Sequence, residues 1–126
     1  MDIREYEELR EKIVEYKPDI VIHLAARTDL RGLTLKDYDA NMTGVSNLLK
    51  AIDEAGTVQK AVFASSMYVC EPGYMPKDFE DYAPHTLYGE SKVETERRIK
   101  EGKSVLYMEH YKAHINLGTM VWRTLR

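Results

Sequence analysis

Cysteine is almost absent from the 126-residue chain, and so are long apolar runs. The single cysteine, Cys70, excludes a disulfide within the chain and fits a reducing compartment. The opening MDIREYEELREK is charged from its second residue and lacks the apolar region of a signal peptide. No stretch approaches the ~20 apolar residues of a membrane span. These absences predict a soluble, cytoplasmic protein with no membrane partner.

The sequence also lacks an excess of positive charge and a glycine-rich turn. Its formal net charge is −3, so we predict no nucleic-acid partner. No two of the seven glycines lie three residues apart. A GxxGxxG turn, which holds a pyrophosphate on backbone amides and a helix N-terminus, is therefore missing from these 126 residues.

The apolar pattern predicts alternating helices and strands. The run DIVIHLAA (19–26) reads as a strand covered on both faces, and KAVFASS (60–66) as a second buried strand. Thr34 can cap a helix with the help of Asp37 three residues on. Two strands joined by a helix predict a parallel α/β crossover. The predicted helices cover residues 4–16, 34–55 and 84–101.

The last quarter of the chain, residues 103–126, has no clean period. The run INLGTMVW allows one strand, interrupted by Gly118, or no regular structure. His110 and His114 lie four residues apart without an accompanying glutamate, so we predict no metal site.

Polar residues converge on one edge of the predicted sheet. In parallel sheets, ligands gather beyond the carboxyl ends of the strands, where residues 23–26 and Ser65-Ser66 are expected. Tyr88 and Lys92 of LYGESK open the next helix, four residues apart on one face. That spacing alone favours two residues of a solvated helix over a catalytic pair. The chemistry that would need these residues is proton transfer to or from a hydroxyl group. The lysine ammonium would lower the pKa of the tyrosine, and the serine would hold the substrate oxygen. A nicotinamide would take the hydride.

Four ordered stretches carry a family resemblance: DIVIHLAA (19–26), ANMTGVSNLLKA (40–51), FASSMYV (63–69) and LYGESKVETE (87–96). With the opening DIR they resemble an extended short-chain dehydrogenase/reductase of the NAD-dependent epimerase/dehydratase type. The resemblance implies a partial Rossmann-like parallel sheet flanked by helices. Residues 1–102 would be the central part of an NAD(P)-binding domain, and 103–126 an atypical tail.

The resemblance implies a catalytic set and a substrate class. Tyr88 would be the acid/base, Lys92 would lower its pKa and bind the nicotinamide ribose, and Ser66 would orient the reacting hydroxyl. The substrate would be a nucleotide sugar, with epimerase, dehydratase and reductase outcomes all open. Helices 34–55 and 84–101 would form a homodimer interface.

The resemblance also implies a cofactor, NAD or NADP. Ala25 and Ala26 would pass under it, and Asn41, in the helix behind the site, would belong to the same cofactor-binding set. Asp2 and Ile3 would lie beside the adenine ring.

The sequence departs from the family pattern at both ends. The Gly-rich turn is missing, residues 103–126 match poorly, and Cys70-Glu71 follow the valine where many members have Tyr-Gly. The alternative interpretation is a non-catalytic fragment that acts at most as a dimerisation or interaction module.

Overall fold

The computed structural model describes residues 1–102, together with the backbone of 108–116 and 119–123. The side chains of His110 and His114, and the whole of Gly118, lie outside the described part of the chain. The helices are α1 (Tyr6–Tyr16), α2 (Asp39–Ala55) and α3 (Leu87–Glu101). The strands are β1 (Ile20–His23), β2 (Lys60–Ala64), β3 (Met108–Asn116) and β4 (Thr119–Arg123).

The strands form one sheet in the order β1-β2-β3-β4. β1, β2 and β3 are parallel, and β4 runs antiparallel to β3. Helix α2 connects β1 to β2, which is the expected crossover. This arrangement confirms the predicted α/β class.

The helices start later than the sequence pattern indicates. Thr34 and Asp37 do form a capping box, but it opens a short 3₁₀ turn, Leu35–Tyr38, and α2 begins only at Asp39. α3 begins at Leu87 and is capped by Thr86, so Pro84 lies in the preceding loop. α3 therefore begins where Thr86 caps it rather than at the nearest proline, whereas α2 follows the 3₁₀ turn and has no side-chain cap of its own.

The described helices all lie against one face of the sheet. The largest buried cluster joins α1, α2, α3 and β2; its members are Leu9, Val45, Leu48, Ala51, Ile52, Ala61, Phe63 and Ile99. On β1, Val21 packs against this cluster, whereas Ile20 and Ile22 point the opposite way and are 59% and 65% exposed. The expectation that β1 is covered on both faces is wrong for the residues that the structure describes.

None of the helices in the described part of the chain combines the length and the apolar character of a membrane crossing.

Candidate active site

The carboxyl ends of β1 and β2 lie side by side. His23 is in register with Phe63, so the residues that follow each strand leave the sheet at the same edge. Ala25 is exposed and Ala26 half-buried after β1, and Ser65 and Ser66 are half-buried after β2. The structure therefore places these residues at the edge that the sequence indicated.

Ser66 begins a short 3₁₀ turn, Met67–Val69. Its Oγ accepts a hydrogen bond from the backbone N–H of Tyr68 at 3.2 Å. The hydroxyl proton has no acceptor within the described residues. Because a serine hydroxyl can both accept and donate, this proton is available to a ligand at the strand edge.

Tyr88 lies in the first turn of α3 and is 8% exposed. Its ring contacts that of Tyr68 edge-on at 5.8 Å between centroids, and that of Tyr38 at 6.2 Å. Within the described residues its hydroxyl makes no hydrogen bond. The ring is thus fixed by aromatic packing, while the hydroxyl has no hydrogen-bond partner among the described residues.

Lys92 lies one turn further along α3 and is 4% exposed. Its Nζ donates to the carbonyl oxygen of Ala64 at 2.6 Å, at the end of β2. Burial lowers the pKa of Lys92, and the charge of Glu96 counteracts that effect. Lys92 thus lies on the same helix face as Tyr88, four residues further along α3.

His23 lies at the end of β1 and is 8% exposed. Burial, and then the charge of Lys92, lower the pKa of His23 to about 4. Its ring lies 5.6 Å from that of Phe63. A histidine that stays neutral at pH 7 and packs on an aromatic ring is part of the support of the site.

Asn41 ties the loop after β1 to α3. Its Oδ1 accepts from Arg27 N at 2.8 Å, and its Nδ2 donates to Arg27 O at 3.0 Å and to Ser91 Oγ at 3.0 Å. Ser91 in turn donates to the carbonyl oxygen of Tyr88 at 2.7 Å. Both amide hydrogens of Asn41 are therefore used within the chain, which makes its contribution a positional one.

Ile3, which directly follows Asp2, lies against the middle of α2. The guanidinium and the backbone amide of Arg4 bond the Asp2 carboxylate and lower its pKa to about 2. Ile3 packs over Gly44, where an added Cβ would lie 2.4 Å from Ile3 Cδ1. Gly44 is one turn beyond Asn41, so Ile3 lies on the same side of α2 as Asn41.

Sequence reasoning missed a buried carboxylate beneath the site. Glu96 is 1% exposed; it accepts hydrogen bonds from Ser65 Oγ and, at 2.7 Å, from the hydroxyl of Tyr82. The only signal in the sequence is its spacing, four residues after Lys92 and eight after Tyr88, which places all three on one helix face.

The described residues fit one half of a dinucleotide site. A lysine ammonium, a tyrosine hydroxyl and a serine hydroxyl lie at the strand ends, beside an exposed Ala25 that leaves room for a ligand. The other half, a Gly-rich turn for the pyrophosphate, is absent from the 126 residues. Within the described part of the chain, no three His, Cys, Asp or Glu residues are grouped as a metal ion would require.

Comparison with protein-family models matches residues 1–104 to the "NAD dependent epimerase/dehydratase family". The chain belongs to this family, as the ordered sequence motifs had indicated.

Three relatives represent three different reactions. A CDP-glucose 4,6-dehydratase from Salmonella typhimurium is 35% identical over 68 residues, which are 52% of this chain and 19% of that protein. A UDP-glucose 4-epimerase from Lacticaseibacillus casei is 34% identical over 101 residues, 76% of this chain and 30% of that one. The solved structure of dTDP-4-dehydrorhamnose reductase from Bacillus anthracis, in complex with NADP, superimposes with a TM-score of 0.73 and 26% identity, covering 87% of this chain and 40% of that chain.

The chain thus spans less than a third of the length of both curated relatives. The match extends over the sheet edge and α3 but reaches no further than residue 104 in the family comparison.

Proposed function

We propose that this chain carries the catalytic residues of an NAD(P)-dependent enzyme that acts on a nucleotide sugar. The observation that carries the proposal is the position of Tyr88, Lys92 and Ser66 at one sheet edge, with the Tyr88 hydroxyl and the Ser66 proton both left without partners among the described residues. The relatives named above act on, or are named for, sugars linked to CDP, UDP or dTDP.

In the proposed reaction, each residue has a separate role. The hydroxyl of Tyr88 takes a proton from a sugar hydroxyl or returns it, and Ser66 hydrogen-bonds the same oxygen to hold it in place. The ammonium of Lys92 favours the phenolate of Tyr88. NAD or NADP, when bound, supplies the hydride chemistry.

Ala25, Ala26 and Lys92 are proposed to contact the cofactor, and Asp2 and Ile3 to flank its adenine. Asn41 is proposed to act by holding the loop after β1. Epimerisation, dehydration and reduction all stay open as outcomes of the proposed reaction.

A second candidate is a non-catalytic fragment that acts by association. Two observations favour it: the 126 residues contain no Gly-rich turn, and within the described residues the apolar face of Ile20, Ile22 and Leu24 is open. A homodimer through α2 and α3 in the cytoplasm is proposed for either candidate.

Titration with NAD distinguishes the two candidates. Calorimetry would compare the 126-residue chain with a longer version that adds an N-terminal strand, Gly-rich turn and helix, taken from the upstream reading frame or from the L. casei relative. We expect binding only by the longer version. In that version Lys92→Met should weaken NAD binding, Lys12→Met on the exposed face of α1 should not, and Tyr88→Phe should retain binding but lose turnover.

Either of two results would contradict these expectations. If the 126-residue chain binds NAD as tightly as the longer version, the Gly-rich turn is dispensable and the fragment candidate fails. If the longer version folds but binds neither NAD nor NADP, the proposed function is wrong.

A further inference from the structure

We infer that Glu96 is a positioning residue of the Tyr88–Lys92–Ser66 site, fixing the end of β2 through Ser65 and holding a negative charge beside Lys92. The inference rests on the proposed function, because only there does the geometry of Lys92 and Ser66 matter. It concerns a residue that is 1% exposed and that is inferred to act through Ser65 and Lys92.

The first step is the state of the buried carboxylate. An ionised carboxylate shielded from water costs several kcal/mol unless hydrogen bonds or a counter-charge compensate it. Glu96 accepts from a hydroxyl at each oxygen, from Ser65 at Oε1 and from Tyr82 at Oε2. Acceptance at both oxygens suits the ionised form, which has no proton to donate.

The second step is the charge balance around Lys92. Lys92 is buried between α3 and the sheet, and burial disfavours its ammonium. His23, the ionisable group facing Lys92 from β1, is neutral at pH 7 because its own pKa is lowered to about 4. Glu96, one turn along α3, is the negative charge that raises the pKa of Lys92 and so keeps the ammonium that Tyr88 needs.

The third step is the link to Ser66. Ser65 is bonded to Glu96 through its side chain, and the next residue, Ser66, starts the turn at the strand edge. Lys92 bonds the carbonyl oxygen of Ala64 directly before Ser65. Two side chains of α3 therefore hold consecutive residues at the end of β2, which sets where the Ser66 hydroxyl lies relative to Tyr88.

The fourth step is the loop between β2 and α3. Tyr82 bonds Glu96 and accepts from Lys100 Nζ at 3.0 Å, and Lys100 also donates to the carbonyl oxygen of Phe79 at 3.2 Å. The same carboxylate thus connects this loop, the end of β2 and the catalytic face of α3.

The test follows Lys92 and Ser66 by NMR in the 126-residue chain, without cofactor or substrate. Glu96→Gln removes the charge but keeps the shape, and the matched control Glu94→Gln removes the same charge from the half-exposed side of the same helix. We expect the titration midpoint of the Lys92 side chain to move to lower pH in E96Q and to stay in place in E94Q. Glu96→Asp, which keeps the charge, should retain most of the wild-type midpoint.

Two further variants test the position of Ser66 rather than the charge of Glu96. They keep the inference testable if E96Q does not fold. Ser65→Ala should shift the amide resonances of Ser66 and Tyr68 while leaving the Lys92 midpoint unchanged, and Tyr82→Phe should leave Ser66 in place. An unchanged Lys92 midpoint in folded E96Q, or unchanged Ser66 and Tyr68 amides in S65A, would overturn the inference. Failure of NAD binding in the calorimetric titration would count against the proposed function alone, since these spectra involve no ligand.

Discussion

At the scale of single residues, Gly89 sets how closely the first turn of α3 approaches the turn that begins at Ser66. A Cβ at this position would lie 2.2 Å from the carbonyl oxygen of Tyr68 and 3.1 Å from Thr86 Oγ1. The contact is made to backbone, which cannot rotate away as a side chain can. Glycine therefore allows the first turn of α3 to touch the turn that begins at Ser66.

Replacing Gly89 with alanine should separate Tyr88 from Ser66. We expect a loss of about 1–3 kcal/mol of unfolding free energy, the usual effect of overpacking, together with loss of turnover in the longer, NAD-binding version. Glu90→Ala, at the next and exposed position, is the control and should change neither. Urea denaturation and steady-state kinetics provide the two measurements; a G89A variant with unchanged kinetics would show that this close approach is not needed.

His23 gives the molecule a pH dependence whose sign can be derived. Its pKa is lowered to about 4 in the folded chain by burial and by Lys92, against ~6.5 unfolded. As the pH falls below 6.5, His23 binds a proton in the unfolded chain but not in the folded chain. The free energy of unfolding therefore decreases. We expect a loss of about 2 kcal/mol between pH 7 and pH 5.

Denaturation curves at pH 7 and pH 5 would test this linkage. His23→Leu should abolish most of the loss, whereas His85→Gln, which changes an exposed histidine, should retain it. Equal pH dependence in all three proteins would show that His23 is accessible to protons in the folded chain.

At the scale of elements, α3 depends on its first turn. Thr86 Oγ1 accepts from the N–H of Gly89 at 3.0 Å, and Tyr88 lies within the turn that this bond closes. Because the cap satisfies an amide that has no partner in the helix, its loss affects the residues nearest to it.

Thr86→Ala should lower the unfolding free energy by about 1 kcal/mol and increase amide exchange at residues 87–89. Thr86→Ser, which keeps the accepting oxygen, should restore both. Hydrogen-exchange NMR would decide: protection at residues 87–89 that is unchanged in T86A would mean that packing, rather than the cap, holds the turn.

The order of the helices and strands up to α3, and the sheet edge where β1 and β2 end together, could be predicted because they rest on local signals. Apolar runs, Pro18 and the spacing of Tyr88 and Lys92 are visible in the sequence. Helix starts were less accurate, because the bonds of Thr86 and the turn at Leu35–Tyr38 decide them. Glu96 was missed because its importance comes from Ser65, which lies 31 residues away in sequence and meets it only after folding.

At the scale of the whole molecule, the apolar character of β1 exceeds what the described residues cover. Ile20, Ile22 and Leu24 are 59%, 65% and 71% exposed, and β1 is an edge strand. An open apolar face next to an unpaired edge favours association. By contrast, no large exposed hydrophobic residue lies on the described α2 or α3, so a dimer through those helices would have a more polar interface.

The difference in burial between the two faces of the sheet can be measured by changing one isoleucine to valine on each face. Ile99→Val removes a methylene group from a side chain that is 2% exposed and should cost about 1 kcal/mol of unfolding free energy. Ile22→Val makes the same change on the open face and should cost almost nothing.

If both variants lose the same amount of unfolding free energy at every protein concentration, Ile22 is covered within a single chain. If the loss at Ile22 appears only as the concentration rises, and sedimentation shows a larger species that Ile22→Thr disperses, then a second copy covers the face. The second result would identify β1, rather than α2 and α3, as the surface through which chains associate, whereas the first would exclude an open face at Ile22.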